Sequence, residues 1–134
     1  MADFIEQAGA IPYRWIQGQL QVLLVTSRSS GDWIVPKGMI DPGYNSQQTA
    51  LQEAYEEAGV RGDLDPSMGV IHANKQGYPI RIELFALHVS QQLSQWLEQD
   101  FRRRQWFDAD QAAGQVIRNP ALAELIQALR QTIS

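Results

Sequence analysis

Three glutamates, Glu53, Glu56 and Glu57, crowd the stretch GMIDPGYNSQQTALQEAYEEAGV, which spans residues 38–60. Its apolar spacing predicts a helix, on which these carboxylates sit at i, i+3 and i+4 and project from one face. Like charges so placed repel, and a helix keeps them cheaply only where solvent screens them or a cation neutralises them. Mg2+ selects hard oxygen ligands, so the spacing is read as a metal site in preference to a solvated helix face. The elements that must position the cluster are also written locally. Asn45 or Ser46 is placed to cap the helix, Gln48 to complete a capping box with Asn45, and Gly59 to end it. Ala50, Ala54 and Ala58 form an i, i+4 row, with Leu51 and Tyr55 beside it, a narrow apolar face suited to close packing on a sheet.

This stretch resembles the Nudix box, G-x5-E-x7-R-E-U-x-E-E-x-G-U with U a bulky apolar residue. Gly38, Glu53, Glu56, Glu57, Gly59 and Val60 fall on the pattern, and Ala54 fills the first apolar slot with a small side chain. Tyr44 and Gln52 stand where the pattern has glutamate and arginine. Ser27-Arg28 and Trp33-Ile34-Val35-Pro36-Lys37-Gly38 are similar to the approach to the box in the branch containing diphosphoinositol polyphosphate and dinucleoside polyphosphate hydrolases. Trp96-Leu97-Glu98 and Arg102-Arg103-Arg104-Gln105-Trp106-Phe107 are similar to the segment that leads into a late strand near the active site of that branch.

The resemblance implies an α/β/α sandwich around a mixed β-sheet, and Mg2+-dependent hydrolysis of a phosphoanhydride bond, with Mn2+ as a substitute ion. The substrate would be a nucleoside diphosphate derivative, a dinucleoside polyphosphate or a diphosphoinositol polyphosphate. Glu53, Glu56 and Glu57 would hold the metal with help from the Gly38 carbonyl. A pyrophosphate resists attack by water until cations neutralise its oxygens, which is the chemistry such a site supplies. Glu53, Glu57 and Glu98 are the candidates for the base, the last because a glutamate from a distal loop serves as ligand or base in part of the family. Where the box has an arginine that helps fix these carboxylates, Gln52 retains a neutral amide donor, which bonds more weakly than a charged one. Reduced activity is expected. The alternative is a silent domain that binds a phosphorylated ligand as a regulator.

Cations near the cluster are the candidate phosphate contacts: Arg28 as a bidentate partner and Lys37 as a point charge. The triplet 102–104 alternates faces if it is a strand, so one of the three meets the cleft, and Arg104 is assigned that contact. His72 and His88 lack a ligand spacing and are read as strand residues. Trp15, Trp33, Trp96 and Trp106 are read as packing.

At 134 residues the chain is expected to form a single domain over 1–134 with a core of its own. Eleven Lys plus Arg against fifteen Asp plus Glu leave a net charge of -4, which argues against a nucleic acid polymer or an anionic membrane as partner. A small phosphorylated substrate fits local cations in an acidic chain. Cysteine is absent, which excludes disulfides, thiol catalysis and Cys-based zinc sites. The N-terminal MADFIEQAGAIPYRW lacks the basic start and apolar stretch of a signal peptide, so a cytoplasmic protein is expected. Strands are expected over 7–14 and 19–27, joined through Gln17-Gly18, and over 33–35, 68–73, 80–89 and 103–107. Lys37-Gly38 and Asp41-Pro42-Gly43 read as loop. Both faces of the 80–89 strand look buried. Asp108 is placed to cap a short helix, and Pro120 opens a last one whose inward stripe is Leu122, Leu125, Ile126 and Leu129.

Overall fold

The computed structural model describes residues 3–116 and 118–133. Among them, seven strands form one mixed sheet: β1 (Ile5–Ile16), β2 (Gln19–Thr26), β3 (Trp33–Ile34), β4 (Lys37–Met39), β5 (Val60–Lys75), β6 (Tyr78–Gln92) and β7 (Arg104–Asp108). The order β3-β2-β1-β6-β5 is antiparallel except at its centre, where β1 and β6 run parallel through Ile5↔Ile80 to Tyr13↔His88. Gln17-Gly18 closes the β1–β2 hairpin, as its turn chemistry requires. β7 adds to β2 with Val22 opposite Phe107.

Helices cover both faces, giving the α/β/α sandwich. On one side lies α1 (Ser46–Glu53), continued by a single π-helical turn over Ala54–Ala58. Asn45 caps it, accepting from the Gln48 N–H at 2.8 Å while the Gln48 side chain accepts from the Asn45 N–H at 2.9 Å. Ala50, Ala54 and Ala58 are fully buried against Leu23, Val25, Phe85 and Leu87. On the other side, α2 (Ala109–Gln115) and α3 (Pro120–Ile133) cover Leu20, Val22, Leu24, Ile82 and Leu84. Leu122, Ile126 and Leu129 are the buried stripe of α3, with Leu125 half-buried. Each large aliphatic side chain so buried contributes about 1.5–3 kcal/mol. β6 feeds both layers, Ile80, Ile82, Leu84 and Ala86 to one and Phe85 and Leu87 to the other.

Several local expectations are corrected. Lys37-Gly38 is not loop but β4, paired with the start of β1 through Ala8↔Gly38 and Gly9↔Lys37. β5 begins at Val60, eight residues before the expected 68, because β6 is long enough to pair its polar first half across register shifts near Gly62, Ser67 and Gly69. Leu51 and Tyr55 do not join the inward face; both are exposed, and the Tyr55 ring lies under the Arg61 guanidinium at 4.6 Å. Asp108 stands at the start of α2 without a side-chain cap bond.

Candidate active site

β4 and the end of α1 meet where the carboxylates are. An added Cβ at Gly38 would collide with the Glu53 carboxyl group, so only glycine lets this backbone lie against that acid. Glu53 and Glu57 hydrogen-bond to each other through their side chains. Glu57 is 5% exposed and also accepts a long 3.4 Å contact from the Lys37 N–H. Glu56 diverges: its Oε2 accepts from Gln52 Nε2 at 2.8 Å on the outer side. The helix therefore presents two converging carboxylates and one turned outward, and the π turn lies where they part.

Burial drives the electrostatics. Desolvation pushes the Glu57 carboxyl up to about 8, against the pull of the Arg102 guanidinium and with help from Glu53 and Glu98. Burial also raises Glu53, offset in part by its bond with Glu57. Lys37 is lowered by burial, with Glu57 opposing. The charge that burial disfavours on these two acids is the charge that a hard cation would neutralise. Among the described residues no three acid or histidine side chains converge on a single point as they stand. The Glu53 and Glu57 carboxyl oxygens beside the Gly38 backbone are hard donors of the kind such an ion takes, while Glu56 is bonded to Gln52.

Glu98, far along the chain, joins this group. Its N–H bonds to the Glu56 carbonyl at 3.1 Å, and its charge acts on both Glu53 and Glu57. Arg28 lies 4.0 Å from Glu98, half exposed, with its guanidinium over Phe101 at 4.2 Å. Lys37, Arg28, Lys75, Arg102 and Gly38 line one open cleft of about 410 Å³. Ile34 and Lys37 also line a second, more enclosed cleft of about 270 Å³ with Trp33, Ile71, Ile82, Leu84 and Leu122.

Arg104 is placed elsewhere. Its guanidinium donates to the carbonyls of Ala58 (2.8 Å) and Leu93 (2.6 Å) and stacks on Trp96 at 3.7 Å. Trp96 in turn donates to the Glu57 carbonyl at 3.0 Å, so the two side chains seal the end of the box helix. Gly59 sits beneath them at φ 66, where a Cβ would strike both. The arginine at the carboxylates is Arg102, which bonds Glu98 at 2.8 Å and lies 3.6 Å from Glu57. Face alternation over 102–104 does not select it because the strand begins only at Arg104; the i, i+4 spacing of Glu98 and Arg102 is the sequence signal that does. Lys75, in the β5–β6 hairpin, had no such signal.

A family model described as NUDIX domain matches residues 8–129. Nudix hydrolase 4 of Arabidopsis thaliana is 31% identical over 137 residues, covering 95% of this chain but 66% of its own length. Mouse diphosphoinositol polyphosphate phosphohydrolase 3-alpha is 32% identical over 130 residues, covering 95% of this chain and 79% of its own. The chain thus spans about two thirds to four fifths of these relatives. Among solved structures, a C. elegans Ap4A hydrolase binary complex superposes with a TM-score of 0.76 at 20% identity, covering 95% of this chain and 96% of that one.

Proposed function

The chain belongs to the NUDIX domain family, and from that premise we propose that it hydrolyses a phosphoanhydride bond in a dinucleoside polyphosphate or related nucleoside diphosphate derivative. The observation that carries this reading is the meeting of two clefts at Ile34 and Lys37, one lined by four cationic side chains beside the paired glutamates and one lined mainly by Trp33 and aliphatic residues, with Asp32, Gln115, Arg118 and Asn119 among its polar lining. A polyphosphate fits the first and a planar, weakly polar group the second. Diphosphoinositol polyphosphates offer nothing to the apolar cleft, although relatives carry that name.

Water attacks phosphorus and the bridging P–O bond breaks, releasing two phosphate-bearing products. Glu53 and Glu57, with Glu56 if it rotated away from Gln52, would be the oxygen donors for Mg2+ or Mn2+, beside Gly38. When bound, that ion neutralises phosphate oxygens and lowers the pKa of water. Glu98, held by Arg102 at the rim, is positioned to take a proton from water, as are Glu53 and Glu57 once ionised. Arg28 is free enough to swing from Glu98 to a phosphate, and Lys37 lies where phosphate and apolar moieties join. The helix also supports a second reading, a ligand-binding regulator, because Gln52 gives its box no charge of its own and Tyr44 is 52% exposed.

A screen that separates and quantifies the phosphorylated products by chromatography, with and without Mg2+, decides between them, because cleavage of a dinucleoside polyphosphate leaves two nucleotides and no inorganic phosphate. Dinucleoside polyphosphates should show the highest kcat/KM, above diphosphoinositol polyphosphates and nucleotide sugars. No turnover in any class would favour the regulator, and a preference for diphosphoinositol polyphosphates would remove the role given to the apolar cleft.

A further inference from the structure

We propose that Arg102 is a positioning residue, holding Glu57 and Glu98 in a fixed relation across the cleft for the cation and water chemistry read above, on which this inference rests. Its guanidinium reaches three separate segments. Nε donates to Glu98 Oε1 at 2.8 Å, Nη1 donates to the Thr26 carbonyl at the end of β2 at 3.0 Å, and Nη2 lies 3.6 Å from Glu57 Oε2 in the π turn. The side chain is only 11% exposed, so these partners are met largely out of water. A planar fork fixed at three points orients what it touches; a lysine ammonium on a flexible stem does not.

The need for such a strut is visible in the helix itself. From Ser46 to Ala58 it has no Lys or Arg, and Gln52 serves Glu56 alone. Buried Glu57 and half-buried Glu53 and Glu98 lie close together, and among the described residues beside Arg102 only the Lys37 ammonium acts on Glu53 and Glu57. The other arginines do not substitute: Arg28 is 53% exposed and 4.0 Å from Glu98, and Arg104 is spent on backbone carbonyls. A cation brought from a distant segment thus serves a helix that has none.

Two roles other than positioning are open to Arg102, direct phosphate contact and simple charge balance, and each leaves a different trace. The experiment measures Mn2+ binding by electron paramagnetic resonance, in parallel with kcat and KM, for the wild type, Arg102→Ala, Arg102→Lys and Arg28→Ala. Positioning requires that both Arg102 variants lose about 10- to 100-fold in Mn2+ affinity, the range for residues that orient ligands, and lose kcat with little change in KM. Arg28→Ala should raise KM and keep Mn2+ affinity. If Arg102 only balanced charge, Arg102→Ala would bind Mn2+ more tightly and Arg102→Lys would match the wild type, and either result overturns the proposal. A rise in KM alone in the Arg102 variants would make it a phosphate contact instead. Should Arg102→Ala not fold, Arg102→Lys decides, because it keeps the charge and loses only the fork. A wild type that binds Mn2+ yet cleaves nothing ends the hydrolase reading and leaves the Mn2+ measurements decisive for Arg102; one that binds no Mn2+ ends both.

Discussion

The two faces of the sheet solve different problems with different side chains. Against one face, α1 packs through Ala50, Ala54 and Ala58, which bring its backbone close and leave little room to shift. Against the other, α2 and α3 pack through Leu122, Ile126, Leu129 and Val116, longer side chains that stand the layer off and leave the apolar cleft beside Trp33. Small residues pin the carboxylates where a fraction of an ångström matters; large ones make a stable core with space at its margin. On the function proposed above, chemistry falls to the tightly packed face and substrate reception to the looser one.

The sharpest way to break that division is Glu57→Gln. Turnover should fall by about 100- to 10,000-fold, the range for a lost acid–base or ligand group, while the apolar face is untouched. Metal-free stability should hold or rise. Because burial lifts the Glu57 carboxyl to about 8, the folded wild type keeps a proton that the unfolded chain has already released above the ordinary carboxylate range. The associated stability is present at low pH and lost as pH rises toward 8, and Mg2+ affinity should climb over the same interval as that proton leaves. Thermal melts across pH check the sign: a wild type that gains metal-free stability between pH 5 and about 8, with no flattening in Glu57→Gln, would contradict it.

Packing gives the next comparison. Leu129→Ala removes a fully buried side chain from the looser face and should cost about 2–5 kcal/mol. Ala54→Leu overfills the tight face and should cost about 1–3 kcal/mol. Activity should rank in the opposite order, because lifting α1 displaces Glu53 and Glu57 while Leu129 lies away from both clefts. Denaturant melts paired with kcat measured well below each midpoint provide the two rankings. Equal loss of kcat in both variants would show that the faces do not divide the work.

What could be read from the chain follows the same line between local and distant. The capping pair Asn45 and Gln48, the alanine row and the Gly59 exit are legible because each depends on neighbours within a turn. So is the amide bond from Gln52 to Glu56. Leu51 and Tyr55 each lie one position beyond a buried alanine, on the flank of the row that faces solvent, which the apolar spacing alone does not distinguish. β4 and the polar first half of β5 have no apolar pattern, and exist because β1 and β6 offer them partners. Arg102 and Arg104 show the limit most plainly. They are two positions apart and alike in chemistry, yet one is drawn to carboxylates and the other to carbonyls by where a strand happens to start.

The smallest effect should come from the ion pair at the mouth of the apolar cleft, Arg118 Nη1 with Asp32 Oδ2 at 3.2 Å. It joins the loop before β3 to the turn before α3, so it spans the mouth of the cleft beside Trp33. Its geometry is good, but the side chains are 85% and 46% exposed, and exposed pairs gain little over hydration. Arg118→Ala should therefore change stability by less than about 1 kcal/mol. Any effect on KM for a dinucleoside polyphosphate should be small and should fade as salt rises above about 0.15 M, since screening already weakens the pair in the wild type. A loss comparable to that of Leu129→Ala, or a KM effect that persists at high salt, would mean that this bridge closes the cleft. Reception on the looser face would then depend on a latch rather than on the space its large side chains leave open.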